Sequence, residues 1–249
     1  MGEMKKLGSG LCGLGCVPAV LMVLVVCFSL GASAADPVIV NCVETPEISD
    51  VSEMPDVFNL SNNLARKSGS SVVADGELVY IVGRVTDPKC RPLSNVSVFI
   101  WQADSRGLYS TKGKSIGSDT AGKGLGKTDE ITYDENFNGS GKATTDNLGN
   151  FSFVTVIPGK HMGRSPRVHF LLKHKDFPEL QTEMFFEGFA GNSEDPNLSR
   201  IPATMRKLLT ARLANQDSET GVRVYEFNVT FSENFGPAQQ SSSDIDVAS

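Results

Sequence analysis

The chain has 249 residues, 40% of them hydrophobic and 21% charged, and a formal net charge of −6. An acidic balance with no basic stripe argues against a nucleic-acid partner, and the apolar content is that of an ordinary folded domain. Lys5 and Lys6 precede a nearly unbroken apolar run, residues 17–30, which ends near Ala32-Ser33-Ala34. A charged start, an apolar centre and a small-residue end read as an export signal over residues 1–35, cut after Ala34 or Ala35. The run is short for a bilayer span, which needs about 20 residues, so an uncleaved anchor is the lesser reading and the membrane is met only through this segment. The protein is therefore expected to be periplasmic or secreted. Cys12, Cys16 and Cys27 fall in the signal, which leaves Cys42 and Cys90. Two cysteines in an oxidising compartment are expected to pair; the alternative is two free thiols.

Residues 36–76 are polar, acidic and rich in Ser and Asn, and read as an extended arm. Residues 77–86 alternate into a strand around Leu78, Tyr80 and Val82, and 87–92 form a turn with two prolines. In the strand 96–101, Val96, Val98 and Ile100 share one face, while Phe99 and Trp101 take the other. Residues 110–129 read as a long Gly/Ser/Lys loop and 144–150 as a turn. Further strands are expected at 151–156, 168–172 and 183–186. Met205, Leu208, Leu209 and Leu213 have helical spacing behind Pro202, which predicts a short helix over 202–213. Residues 222–231 form a closing strand, and 233–249 a disordered tail. Short strands between Gly/Pro turns point to an all-β fold, an antiparallel sandwich over 77–232.

Two of the three histidines, His161 and His169, lie in one stretch, VIPGKHMGRSPRVHF (156–170), beside Arg164 and Arg167. Tyr109 closes the phrase GRVTDPKCRPLSNVSVFIWQADSRGLYS (83–110), and TTDNLGNFSFVTVIPG spans 144–159. In order and spacing these motifs resemble the intradiol ring-cleavage dioxygenases, and their exported branch most closely. The resemblance runs from residue 42 to about 188. It takes in Cys42 with Thr45-Pro46-Glu47, and Ser52-Glu53-Met54-Pro55 as a weakened form of the family's Thr-Glu-Gly-Pro. It implies a β-sandwich of two mixed sheets. It also implies ferric iron held by two tyrosinates and two histidines, with a small aromatic diol and O₂ as substrates. Homo-oligomerisation stays open.

Carried over residue by residue, the resemblance makes Tyr109 the first tyrosine, His169 the second histidine and Arg164 the pocket arginine. His161 stands where the family has its second tyrosine, Arg167 where it has its first histidine, and Glu183 where it has a pocket glutamine. A neutral imidazole can both ligate a metal and accept a proton, so His161 can take over the departing ligand's role. A guanidinium has no lone pair to give. Arg167 lies two residues from His169 and so faces the same side of its strand. It therefore needs a carboxylate, and Glu183 is the expected partner. Three outcomes follow: a three-ligand site of Tyr109, His161 and His169; a weak or absent metal; or a pocket that takes an anion through Arg164 and Arg167. The expected function is dioxygenase cleavage of a catechol. The competing reading is a binding module that kept the scaffold and lost the chemistry. His174, five residues past His169, is expected at the surface.

Overall fold

A computed structural model of the chain describes residues 42–111, 114–115, 132–216 and 220–233. The export signal, most of the 110–129 loop and the tail beyond residue 233 lie outside the described residues. The strands are β1 (Leu78–Thr86), β2 (Ser97–Trp101), β3 (Ser110–Thr111), β4 (Lys114–Ser115), β5 (Ser140–Thr144), β6 (Asn150–Val156), β7 (Arg167–His174), β8 (Phe177–Phe186), β9 (Thr210–Gln216), β10 (Arg223–Glu226) and β11 (Val229–Thr230). Two short helices, α1 (Pro196–Arg200) and α2 (Ala203–Arg206), separate β8 from β9.

The strands form two leaves. One runs β6-β1-β10-β9, with β11 continuing beside β1, and the other runs β5-β2-β7-β8. They join where Phe185 and Phe186 of β8 pair in parallel with Thr210 and Ala211 of β9. β1 is also parallel to β10, so the sheets are mixed rather than purely antiparallel. Between the leaves lie Val79, Ile81 and Val85 of β1, Phe151 and Phe153 of β6, and Tyr225 of β10. Val98 and Ile100 of β2, Val168, Phe170 and Leu172 of β7, and Phe186 of β8 face them. Period-two alternation sends every second side chain of β2, β7 and β8 outward, and the functional residues stand on that outer face.

Several elements depart from the sequence expectation. The 202–213 helix stops early: Lys207–Leu209 tightens into a 3-10 turn and Thr210 begins β9. Pairing with both β8 and β10 outweighs one amphipathic turn, and Leu213, expected on the helix's apolar face, is 42% exposed. The closing strand is interrupted at Phe227–Asn228, where Asn228 Oδ1 accepts from the Arg84 amide at 2.9 Å in place of a ladder carbonyl. β5 has a strand-poor sequence, SGKAT, and was not anticipated. It forms because Ser61 and Leu64 of the arm lie against Gly141, where a Cβ would come within 2.6 Å of Leu64. His174 is not at the surface. Its side chain is 10% exposed and packs on Phe177 at 5.6 Å, because the register shifts between Leu172 and His174.

The arm is extended, as its composition suggests, but it is built into the sandwich. Cys42 bonds covalently to Cys90 with Cα atoms 5.2 Å apart, and the Cys42 amide donates to Pro88 O at 2.8 Å. The arm then crosses the outer face of β8, where Ile48 N donates to Gln181 O and Gln181 Nε2 to Asp50 O. Farther on, Leu64 is fully buried in the core and its amide donates to Val154 O.

Candidate metal centre

Three strands bring their outward residues into one row. Register places Trp101 of β2 opposite His169 of β7, and His169 opposite Glu183 of β8. The indole lies flat on the imidazole, with centroids 4.8 Å apart and planes 9° from parallel. Arg167, two residues earlier on β7, is opposite Phe185.

Two loops supply the rest. In the first, Asp104 Oδ1 accepts from the amides of Arg106 and Leu108 and so organises a tight turn. Gly107 is needed there: its φ is +84°, and a Cβ would lie 2.1 Å from Lys160 O. The second loop packs backbone to backbone against it, with Gly159 N donating to Asp104 O at 2.8 Å. That contact puts His161 Nδ1 2.7 Å from Gly107 O. Met162 and Gly163 both have positive φ, the combination of a tight reversal, and this sets His161 and Arg164 side by side.

Tyr109, His161 and His169 converge. Tyr109 Oη is 3.1 Å from His169 Nε2, and the Tyr109 and His161 rings meet edge to face at 4.9 Å. All three are buried. Because a carbonyl only accepts, His161 Nδ1 carries a proton. Its Nε2 has no hydrogen-bond partner among the described residues. Burial pulls the His169 imidazole down to about 3, with Arg167 acting in the same direction, so it is neutral at physiological pH. Burial also pushes the Tyr109 phenol up to about 12; Arg167 opposes this rise, and Glu183 and Glu53 add to it. The phenol therefore keeps its proton, donates it to His169 Nε2, and leaves Nδ1–H facing Glu183 Oε1 at 3.6 Å. The neutral His169 imidazole, the His161 imidazole held by a carbonyl behind it, and a phenol make a donor set that fits a hard or borderline metal.

The expected Arg167–Glu183 ion pair is present, but Glu183 has a second and better-aimed cationic partner. Glu183 is partnered chiefly by Arg164, through bonds of 2.8 and 2.6 Å. Arg164 also donates to Asp195 at 3.2 and 3.0 Å and to Asp50 at 3.1 Å. Arg167 Nε lies 3.2 Å from Glu183 Oε1, yet the N–H is not aimed at it and has no acceptor among the described residues. Arg164 wins because the 161–164 reversal aims its fork straight at the carboxylate, whereas Arg167 stands one pair away on the ladder. With three carboxylates around it, Arg164 offers little positive charge to an anion.

Sequence reasoning missed Asp50, Asp195 and the full part played by Trp101. Asp195 was findable, since Asp-Pro before an apolar turn is a helix-start signal; its carboxylate caps α1 by accepting from Asn197 N and Leu198 N. Asp50, His169 and Glu183 also bring potential ligand atoms within 4.8 Å of one another, but Arg164 holds both carboxylates. A trough of about 990 Å³ lined by Arg84, Asn150 and Asn228 shares no residue with the centre.

A family model described as "Dioxygenase" matches residues 58–233. The "Protocatechuate 3,4-dioxygenase beta chain" of Burkholderia cepacia is 29% identical over 185 residues, covering 70% of this chain and 72% of that protein. The "Putative dioxygenase" of Rickettsia bellii is 37% identical over 130 residues, covering 52% of this chain; the match spans 60% of the relative's own length. In three dimensions the fold matches the "Intradiol ring-cleavage Dioxygenase" of Tetranychus urticae with a TM-score of 0.56 at 19% identity, over 76% of this chain and 95% of that one. The family match covers more than half of the sequence, and the chain belongs to the intradiol dioxygenase family.

Proposed function

We propose that this is an exported iron protein that cleaves a catechol-type diol between its two hydroxylated carbons, both atoms of O₂ entering a ring-opened dicarboxylic acid. The observation that carries the reading is the convergence of Tyr109, His161 and His169, with His161 Nε2 lacking a hydrogen-bond partner among the described residues. These residues would hold the ion, and ferric iron bound there would activate the diol toward O₂. His161 Nε2, which stands where the resemblance puts a departing ligand and has no hydrogen-bond partner among the described residues, is the group placed to take a proton from a diol hydroxyl. His169 is kept in orientation by Trp101, and the arm covers the outer face and excludes water. Export rests on residues 1–35 alone.

The test is elemental analysis and a visible spectrum of the purified protein, with oxygen uptake on catechol and protocatechuate. One iron per chain, a tyrosinate charge-transfer band that Tyr109→Phe abolishes, and diol-dependent uptake are expected. A colourless protein that takes up no iron and consumes no oxygen would overturn the reading in favour of a binding module on the same scaffold. The carboxylates surrounding Arg164 speak against that module being an anion binder.

A further inference from the structure

The centre lies under cover. Tyr109 is 4% exposed, His161 3% and His169 0%, so a diol reaches them only if something moves. Four arm residues form a roof. Asp50 meets Arg164 at 3.1 Å, Glu53 faces His161 at 3.7 Å, and Met54 and Phe58 pack on the cluster of Trp101, Ala103 and Tyr109. The Phe58 ring stands edge-on to the Trp101 indole, with centroids 5.8 Å apart. This roof is pinned at both ends. Before it, Thr45 N donates to Thr230 O and Ile48 N to Gln181 O, and Thr182 Oγ1 donates to Pro46 O. After it, Asn59 N donates to Ser140 Oγ, while Ser61 O and Asn62 O accept from Lys142 N and Val154 N.

Between the pins, residues 49–58 belong to no strand ladder. Side chains tie them down instead: Gln181 Nε2 on Asp50 O at 2.7 Å, Arg164 on the Asp50 carboxylate, and the packing of Met54 and Phe58. Lifting the segment strands no buried charge, because Arg164 keeps Glu183 and Asp195 while Asp50 and Glu53 pass into water. A stretch held this way opens at lower cost than the strands beneath it. We propose that residues 49–58 are a lid that hinges at Ile48 and Asn59, and that Met54 and Phe58 lift off Trp101 to admit an aromatic diol. The diol rests on the function proposed above, whereas the opening does not. Closed again, the lid keeps water from the reacting atoms.

Trp101 is the only tryptophan in the chain, so its fluorescence reads the lid directly. Acrylamide, a neutral quencher, should reach it through the open form of the full purified chain. Gln181→Ala removes one tie without uncovering the indole. Loss of that hydrogen bond should raise the open fraction, and with it the quenching rate, about fivefold. Backbone amides of 49–58 should exchange with deuterium faster by a similar factor, while those of β7 keep wild-type rates. Glu47→Gln, at an exposed carboxylate outside the lid, should match wild type in both measurements. If circular dichroism shows that Gln181→Ala does not fold, Asp50→Asn, which loosens the Arg164 tie, carries the comparison. Unchanged quenching and exchange in the loosened variant overturn the lid. So does exchange at 49–58 no faster than in β7, since the segment then opens only when the whole domain unfolds. Diol-dependent oxygen uptake without lid opening overturns the lid and leaves the dioxygenase standing; lid opening in a chain that consumes no diol does the reverse.

Discussion

His169 owes its fixed plane to a single neighbour. The Trp101 indole covers one imidazole face, and both rings are almost fully buried. Trp101→Ala should cost about 3–5 kcal/mol of stability through the cavity it leaves and should also weaken metal binding; urea unfolding and Zn(II) competition report the two effects separately. Arg167 works against the centre. A strand spacing of two residues puts its charge about 7 Å from the His169 position, and at an effective dielectric near 20 a unit charge there costs roughly 2 kcal/mol per unit of metal charge. Arg167→His should therefore tighten metal binding by about tenfold or more in the same competition assay. Asp195 supplies a pH dependence. Burial alone would raise its carboxyl, but hydrogen bonds from Arg164 and from the amides of Leu198 and Ser165 bring it below the ordinary value of 3.8. A depressed carboxyl contributes stability that is present above the unfolded value and disappears as pH falls through the folded one. Melting temperatures between pH 6 and pH 2 should show Asp195→Asn less stable than wild type at pH 6, with the gap closing toward acid; a constant gap would contradict this.

The arm and the disulfide form one functional element. A loop of 48 residues separates Cys42 from Cys90, and in the chain-entropy model closing it stabilises by about 4 kcal/mol. The Cys42→Ser, Cys90→Ser double variant should lose up to that much in denaturant unfolding. It should also bind metal more weakly, because the arm packs Met54 and Phe58 against the cluster that holds Trp101 and Tyr109. β5 shows why such an element escapes a propensity reading. Ser-Gly-Lys-Ala-Thr has little strand preference, but arm residues need a bare backbone at Gly141 to lie against. The strand is specified by what packs on it, and that contact joins residues far apart in sequence.

Arg164 ties the molecule together. It links the arm through Asp50, the sheet through Glu183, and the helical segment through Asp195. Removing it would leave buried carboxylates uncompensated, so Arg164→Ala should destabilise by about 3–5 kcal/mol in equilibrium unfolding. Much of the architecture was legible in the sequence. Alternation identified both faces of β2 and put Arg167 and His169 on one side of β7, because strand side chains alternate with period two. The spacing of Tyr109, His161 and His169 within recognisable phrases marked out the centre, and the cysteine count pointed to the bridge. Tertiary structure alone decided which further arginine meets Glu183, since one reversal at Met162 and Gly163 brings Arg164 onto it beside the expected Arg167 ion pair. It alone put Glu53 against His161, across 108 residues of chain. Periodicity reports burial, a local property of each strand, whereas charge pairing and metal geometry depend on distances between segments that only the closed sandwich and its arm bring together.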